Sequence, residues 1–307
     1  MLGIVLALGA SVCWGSGDFL GGLTTRRASL WAVIVGSQAT GLVGATLVVV
    51  LAGHGWPGLH AVWPVLLGGL ASVVAISCFY KALAIGSMSI VAPISAANAL
   101  IPFLVGLTAG ERPSALQLAG VALAAGGVLL VASERARAGD TIGAAALPNE
   151  PAVEPAAVTS AEIAAHPSGR NQRRAVVLAL TAAVTMGLVL VGYDATARYD
   201  ALWAMLGGRI SSAVVFVMII LVLRPRLEMR RSALPFVVAV GLLDTGANGL
   251  FALATTQGYL SLVSVLGAVY PVVTVLLAYS LLRERIAPHQ MAGAVGTLAG
   301  IALIAAG

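Results

Sequence analysis

Charged residues are scarce in this chain. They make up only 9% of its 307 residues, whereas a soluble domain carries roughly 25%. Hydrophobic residues account for 59%, and the mean hydropathy is +0.99. A water-soluble fold of this length has too little interior to hide so much apolar surface. The composition therefore excludes a soluble protein and indicates a multi-pass membrane protein.

Cysteine and histidine are scarce too, which restricts metal chemistry. The two cysteines, Cys13 and Cys78, lie inside apolar runs, and no second Cys or His stands near either at ligand spacing. We therefore predict no disulfide framework, no metal site, no cofactor and no catalytic residues. The four histidines are scattered between the apolar runs, at His54, His60, His166 and His289.

Nucleotide-binding motifs are absent as well. No glycine-rich loop ends in Gly-Lys-Ser/Thr, and the glycines of Gly15-x-Gly17-x-x-x-Gly21 follow an apolar helix at the wrong spacing for a dinucleotide site. We predict that the chain does not hydrolyse ATP, so uphill transport would need an ion gradient or exchange. The net charge of +5 comes from residues spread between the runs, which argues against nucleic acid as a partner.

Ten apolar runs are present, each close to the ~20 residues that cross a bilayer. We predict an all-α integral membrane protein with ten transmembrane helices arranged as two inverted five-helix repeats. The first repeat covers residues 1–132, a flexible polar linker covers 133–174, and the second repeat covers 175–307. The runs lie at residues 2–22, 30–52, 60–83, 87–109, 114–132, 175–196, 201–223, 233–256, 260–282 and 288–306.

Short motifs recur about 172 residues apart, which is the signature of an internal repeat. Because each copy contains an odd number of spans, the second copy must cross the bilayer in the opposite sense. Many secondary transporters are built from such inverted repeats. The recurring motifs are Leu30-Trp31-Ala32 with Leu202-Trp203-Ala204, and Glu111-Arg112 with Glu284-Arg285.

The order of these features resembles the drug/metabolite transporter superfamily, in its EamA-like ten-helix branch. The Glu-Arg turn before a Gly-rich last helix in each half is similar to that family, and so is Trp14-Gly15 in the first span. The second half departs from it, with Met186-Gly187 at the position of Trp14-Gly15. The resemblance implies a transporter of small organic solutes, specifically an exporter of metabolites, amino-acid-like compounds or drugs.

Basic residues concentrate at one side of the predicted helices, and only Arg112 and Arg198 fall on the other side. The positive-inside rule then makes the basic side cytoplasmic and puts both termini outside. Members of the resembled family are often drawn with cytoplasmic termini, so the orientation stays open. The expected location is the cell membrane, plasma or inner, with the lipid bilayer as partner.

Ionisable residues inside spans are candidate functional residues, because charge in lipid is costly. Arg209 and Asp244 lie roughly 12 Å from the same face by helix rise, so they can form a gate, a site for a zwitterionic or anionic substrate, or a structural ion pair. Asp18 lies late in the first span and Lys81 lies late in the third, which runs parallel to it, so both approach the same membrane face. Asp18 is either a proton-coupling residue or, like Lys81, a side chain that reaches for the interface.

Proline and polar residues interrupt two related spans, the fourth at Pro93 and Pro102 and the ninth at Pro271. Freed backbone carbonyls at membrane depth are tolerated where they line a cavity, although polar side chains there also bond helix to helix. The candidate substrate-binding or coupling residues are Trp14, Asp18, Gln38, Lys81, Asn98, Arg209, Asp244, Asn248 and Tyr270.

Two further motifs have mainly structural interpretations. Glu111 and Glu284 lie at short turns, where each would cap a helix or form a surface ion pair. Gly296-x-x-x-Gly300 lets helix backbones approach, either within the bundle or in a homodimer.

The sequence thus predicts a secondary active transporter with a small-molecule substrate held between its halves. Two other classes stay open. An integral-membrane enzyme acting on lipids would need clustered carboxylates or histidines, and a receptor or scaffold would have a packed apolar centre.

Overall fold

The computed structural model describes residues 1–25, 28–85, 94, 97–132, 169–224, 227–282 and 287–307. Its helices, named in chain order, are α1 (Leu2–Thr24), α2 (Leu30–Leu51), α3 (Leu59–Ile85), α4 (Leu100–Thr108), α5 (Ala115–Ala132), α6 (Gly169–Ala197), α7 (Ala201–Leu223), α8 (Leu234–Gln257), α9 (Leu260–Gly267), α10 (Tyr270–Leu282) and α11 (Pro288–Ala306). One-turn 3₁₀ helices, Ala97–Ala99 and Arg231–Ala233, precede α4 and α8.

Eight helical segments in the described residues are long and apolar enough to cross a membrane, the segment Leu260–Leu282 counting as one. Two shorter apolar helices, Ala97–Thr108 and Ala115–Val131, lie where the fourth and fifth spans were predicted. The all-α membrane class is therefore confirmed. Pro93 and most of the first half of the fourth run lie outside the described residues.

The ninth span is interrupted, as its Tyr270-Pro271 pair predicts. Helix α9 ends at Gly267 and α10 begins at Tyr270. Pro271 has no N–H to continue the regular ladder, and the junction tightens so that Val272 N donates to Val269 O over 2.9 Å. The break leaves Tyr270 beside the middle of the bundle.

The linker predicted at residues 133–174 extends too far toward the C-terminus. Residues 169–174, assigned to the linker, form the first turns of α6. They are polar and include Arg173 and Arg174, but backbone hydrogen bonds do not require apolar side chains, so the helix continues past the apolar run. The rest of the predicted linker, residues 133–168, lies outside the described residues.

Helices α2 and α7 run antiparallel, with contacts at both ends. Ser29, just before α2, donates its N–H to the carbonyl of Glu228, after the end of α7, over 2.8 Å. At the other end Trp203 Nε1, in the first turn of α7, donates to the carbonyl of Gly55, after the end of α2, over 2.7 Å. Trp31 and Trp203 therefore lie at opposite ends of the bundle.

The first helix of each half contacts the interrupted span of the other half. A Cβ atom on Gly15 of α1 would lie 2.6 Å from the carbonyl oxygen of Tyr270. A Cβ atom on Gly187 of α6 would lie 2.6 Å from the carbonyl oxygen of Asn98. Each glycine lets its helix touch the interrupted span of the other half, at residues about 172 positions apart.

A second pair of contacts follows the same rule. A Cβ atom on Gly36 of α2 would lie 2.6 Å from Val237 Cγ1 of α8, and one on Gly207 of α7 would lie 2.6 Å from Val65 Cγ1 of α3. Val65 and Val237 are related by the repeat, and Gly207 lies one residue before Gly208, the repeat counterpart of Gly36. The second helix of each half therefore contacts the third helix of the other half.

Helices α5 and α11 pack along a stripe of glycines, which we call the glycine seam: Gly120, Gly127, Gly293 and Gly300. A Cβ atom on Gly300 would lie 2.5 Å from Ala124 N, and one on Gly293 would lie 2.6 Å from the carbonyl oxygen of Gly127. Close backbone approach of this kind is how helices associate in lipid. The seam lies within the chain, which fits the interpretation of the glycines as bundle packing; the homodimer stays a prediction.

Both chain termini lie at the same end of the bundle. A Cβ atom on Gly307 would lie 2.7 Å from Ser114 Oγ, and one on Gly3 would lie 3.1 Å from Gly258 N. Glu111, three residues before Ser114, contacts the start of α9, two residues after Gly258. Large apolar side chains such as Leu47 and Val217 are exposed along the outer faces of the helices, which is the surface that lipid covers.

A polar cavity between the two halves

A cavity of about 260 Å³ lies among helices contributed by both halves of the chain. Polar, aromatic and apolar side chains alternate around it. The lining residues are Trp14, Asp18, Asn98, Met186, Val189, Leu190, Tyr193, Asp244, Asn248, Ser264, Gly267, Ala268 and Tyr270. Six of the nine residues that the sequence nominated are in this set.

An aromatic group forms one wall of the cavity. The Trp14 ring lies 5.7 Å from that of Phe251 and 6.4 Å from that of Tyr270, which it meets edge to face. A Cβ atom on Gly267 would lie 3.3 Å from the Trp14 ring. Gly15 and Gly267 thus bring α1, α9 and α10 close enough to fix the orientation of the indole.

Asp18 lies one helical turn after Trp14, so both side chains occupy the same face of α1. It is exposed although it lies within the membrane-spanning part of the helix, because it faces the cavity. It shares the cavity with Asp244 and Tyr270. Among the described residues that line the cavity, none is Lys, Arg or His.

Behind the cavity wall, Arg209 forms an ion pair with Asp244. The guanidinium donates through Nη2 to Asp244 Oδ2 at 2.5 Å and through Nη1 to Gln38 Oε1 at 2.8 Å. The Arg209 side chain is 4% exposed, whereas that of Asp244 is 41% exposed. Arg209 is therefore buried, and Asp244 presents its carboxylate to the cavity. The depths read from the sequence are compatible with this pair.

Small residues make space for the guanidinium. A Cβ atom on Gly41 of α2 would lie 3.4 Å from Arg209 Cζ and 3.1 Å from the carbonyl oxygen of Gly241 on α8. The two glycines bring α2 and α8 together around Arg209. Asn248, one turn after Asp244, donates its Nδ2 to the Asp244 carbonyl oxygen over 2.7 Å.

Three of the predicted site residues do not line the cavity. Gln38 and Arg209 lie behind Asp244, where they hold it in place. Lys81 lies elsewhere, in a groove that also contains Arg173 and Arg174. Lys81 is near the end of α3, and the rotation of that helix turns its exposed side chain toward α6 instead of toward Asp18.

The sequence reasoning missed the wall that α6 contributes. Met186, Val189, Leu190 and Tyr193 line the cavity, and only Met186 had been noticed, as the counterpart of Trp14. Their spacing of three and four residues is the pattern of one helix face. In an apolar span every face carries such a pattern, so the spacing alone does not single this face out.

Glu111 caps a helix, but in the other half of the chain. Its Oε1 accepts from Leu260 N over 2.6 Å and its Oε2 accepts from Ser261 N over 2.9 Å. The carboxylate thereby satisfies two free N–H groups at the start of α9. The interpretation of Glu111 as a cap is confirmed; Glu284, its counterpart, lies outside the described residues.

Among the described residues, no group of three or more His, Cys, Asp or Glu side chains is placed to hold a metal ion. Cys13 and Cys78 are both free thiols.

Comparison with known proteins places the chain in a family. No protein with a curated description matches it. A solved structure described as "Crystal structure of protein" is 17% identical, with a TM-score of 0.72 over 98% of this chain and 94% of its own; at that identity the likeness concerns the fold alone. The model of the EamA-like transporter family matches residues 1–133 and 173–306. The chain is therefore a multi-pass membrane protein of the EamA-like transporter family, within the drug/metabolite transporter superfamily.

Proposed function

We propose that the protein is a secondary active transporter that carries small organic solutes by alternating access. The observation that carries this proposal is the cavity, because polar and aromatic side chains from both halves converge there within membrane-spanning helices. Substrate sites of secondary transporters lie near the bilayer midplane between the repeats. Membership in a family of transporters agrees with a function other than catalysis.

Inverted repeats, at residues 1–132 and 175–307, would supply the two alternating states. The antiparallel course of α2 and α7 supports this arrangement. So do the exchanged contacts, in which Gly15 meets Tyr270 and Gly187 meets Asn98. Halves related by a two-fold axis in the membrane plane form equivalent contacts at either membrane surface, so rocking about the cavity opens one side or the other.

Asp18 and the Arg209–Asp244 pair are the proposed coupling and gating groups. Arg209 joins α7 to α8 through Asp244 and to α2 through Gln38. Movement of one half against the other must stretch the bond between Arg209 and Gln38. Asp18 is the carboxylate that an ion or proton can reach from the cavity. The gradient or exchanged solute that drives transport, and the outward direction, are part of the proposal.

The alternative functions fit the cavity less well. A receptor or scaffold would have a packed apolar centre, whereas this centre contains a cavity with two carboxylates. An enzyme acting on lipids would place reactive groups at the membrane interface, whereas Asp18 and Asp244 lie inside their helices. Transport is therefore the better account of polar groups at this depth.

The test is solute flux into proteoliposomes that contain the purified protein. Labelled cations, zwitterions, anions and neutral solutes would be offered under proton, sodium and counter-solute gradients. We expect saturable flux of at least one class, reduced at least about tenfold by Asp244→Asn and unchanged by Glu228→Gln, which removes an exposed acid outside the cavity. Absence of flux for every class under every gradient would contradict the proposal.

The inverted arrangement has its own test. In a variant with both native cysteines replaced by serine, Trp31→Cys and Trp203→Cys would be labelled with a membrane-impermeant maleimide in sealed vesicles. We expect one to react from outside and the other only after the membrane is opened. Reaction of both from the same side would contradict the inverted repeat.

A further inference from the structure

The charges around the cavity do not balance. Two carboxylates, those of Asp18 and Asp244, line it, and no basic residue does among the described lining residues. Arg209 neutralises Asp244 from behind the wall. Asp18 is left as a carboxylate with no cationic partner in the described part of the chain.

A carboxylate at membrane depth is costly unless it is paired or hydrated. Asp18 faces the cavity, and no described residue pairs with it as a cation, so a solute that enters the cavity can supply the positive charge. The cavity, at about 260 Å³, holds several times the ~30 Å³ share of a water molecule in the liquid. A solute with a positive group would therefore find its counter-charge already in place.

The repeat makes the cavity polar on one side and apolar on the other. The position related to Asp18 in the second half is Leu190, and Leu190 also lines the cavity, next to Met186 and Val189. Asp18 instead shares the cavity with the rings of Trp14 and Tyr270, which lie 6.4 Å apart. Aromatic ring faces attract cations such as quaternary ammonium groups, and the α6 wall offers contact to an apolar body.

An anionic solute has no comparable partner. Arg209 is 4% exposed, is bonded to Gln38 and Asp244 through both Nη atoms, and does not line the cavity. An anion in the cavity would face the uncompensated charge of Asp18. Repulsion by Asp18, with no cation in the cavity to offset it, disfavours binding of an anion.

We propose that the cavity selects organic cations with an apolar body, and that Asp18 is the residue that receives the positive group. This inference rests on the proposed function, because it names the class of solute that the transporter would carry. The aromatic pair Trp14 and Tyr270 would surround the cationic end, and the α6 wall would contact the apolar end.

Binding to the purified protein tests the inference. The probes are benzyltrimethylammonium, its uncharged carbon isostere neopentylbenzene, and the anion phenylacetate. A ligand that binds the folded state raises the melting temperature, so we expect the cation to raise it more than the isostere does, and phenylacetate to leave it unchanged. Equal stabilisation by the cation and its isostere would overturn the inference.

Variants assign the effect to Asp18. Asp18→Asn should weaken binding of benzyltrimethylammonium at least about tenfold, since a charged partner is lost, while Asp18→Glu retains binding. Glu228→Gln, which removes an exposed acid that does not line the cavity, controls for net charge and should bind as the parent does. Unchanged affinity of Asp18→Asn would overturn the inference.

Flux in the same proteoliposomes separates the two proposals. Flux of anions or neutral solutes without flux of the cation would overturn the inference and leave the transporter proposal standing. Binding of the cation that depends on Asp18, without flux of any solute, would support the site and contradict the transporter proposal. Flux of the cation that is lost in Asp18→Asn would support both.

Discussion

Two of the regions in which the halves of the chain meet are built in different ways. At the glycine seam, α5 and α11 touch backbone to backbone, and the residues there carry no side chains that a solute could contact. At the cavity, long polar and aromatic side chains project from α1, α6, α8 and α10 and leave space between them. The halves are in close contact at the seam and are separated by open space at the cavity.

The polar groups of the bundle fall into two sets: those buried between helices and those that face the cavity. Without a hydrophobic drive between helices in lipid, close packing and buried hydrogen bonds hold a bundle together. Arg209 belongs to this buried set, although it lies only one residue layer behind the cavity. Asp18, in contrast, faces the open space and is bonded to nothing in the described residues. Stability should therefore depend on the buried groups, and selectivity on the exposed ones.

The largest expected effect is that of Arg209→Met. Removing the guanidinium leaves Asp244 without its partner, and loss of one member of a buried pair costs about 3–5 kcal/mol. Because Asp244 faces the cavity, where water can hydrate it, we expect the free energy of unfolding to fall by about 3 kcal/mol, measured by denaturant unfolding in detergent.

The control is the double variant Arg209→Met/Asp244→Leu, in which no charge is stranded. It should recover much of the lost stability. A double variant as unstable as the single one would mean that Arg209 acts through packing and not through its charge.

The seam offers a matched pair of substitutions at neighbouring residues. A Cβ atom on Gly127 would lie 2.5 Å from the carbonyl oxygen of Gly293, while one on Gly126 would meet nothing within 4 Å. Gly127→Ala should lower the free energy of unfolding by about 1–3 kcal/mol through overpacking. Gly126→Ala should be neutral or slightly stabilising, since alanine favours the helix. Equal effects of the two would mean that the seam is not a tight contact.

Glu111→Gln tests the hydrogen bonds between Glu111 and the start of α9, which link the halves outside the glycine seam and the cavity. Glutamine retains one acceptor oxygen but loses the charge that favours the start of α9. We expect a loss of about 1 kcal/mol, detected as a lower melting temperature. Glu228→Gln should leave the melting temperature unchanged, and a similar drop in both variants would point to net charge instead of the cap.

Asp18→Asn should have the smallest effect on stability, within about 0.5 kcal/mol, because no partner in the described residues is lost. Its effect should instead appear in solute flux. A stability loss as large as that of Arg209→Met would mean that Asp18 has a structural partner, and the distinction between buried and exposed polar groups would fail.

Particular residues show how much of the site can be predicted from the sequence. The rise along each helix placed Arg209 and Asp244 at compatible depths, and they are paired. The repeat related Asn98 to Tyr270, and both line the cavity. Gln38 was nominated for the cavity but bonds to Arg209 behind it, and Lys81 lies in a separate groove. Tyr193 and the rest of the α6 wall were not identified.

The sequence by itself determined the class of protein, the positions of the apolar runs and the interruption before Pro271. These follow from hydropathy, helix length and the missing proline N–H, which are local properties. Only the tertiary structure decided that Glu111 caps the other half's helix, that the glycine seam joins α5 to α11, and that Asp18 faces the cavity without a cationic partner among the described residues. Depth in the membrane is fixed by counting residues, but the rotation and neighbours of an apolar helix depend on packing, and all its faces look alike in sequence.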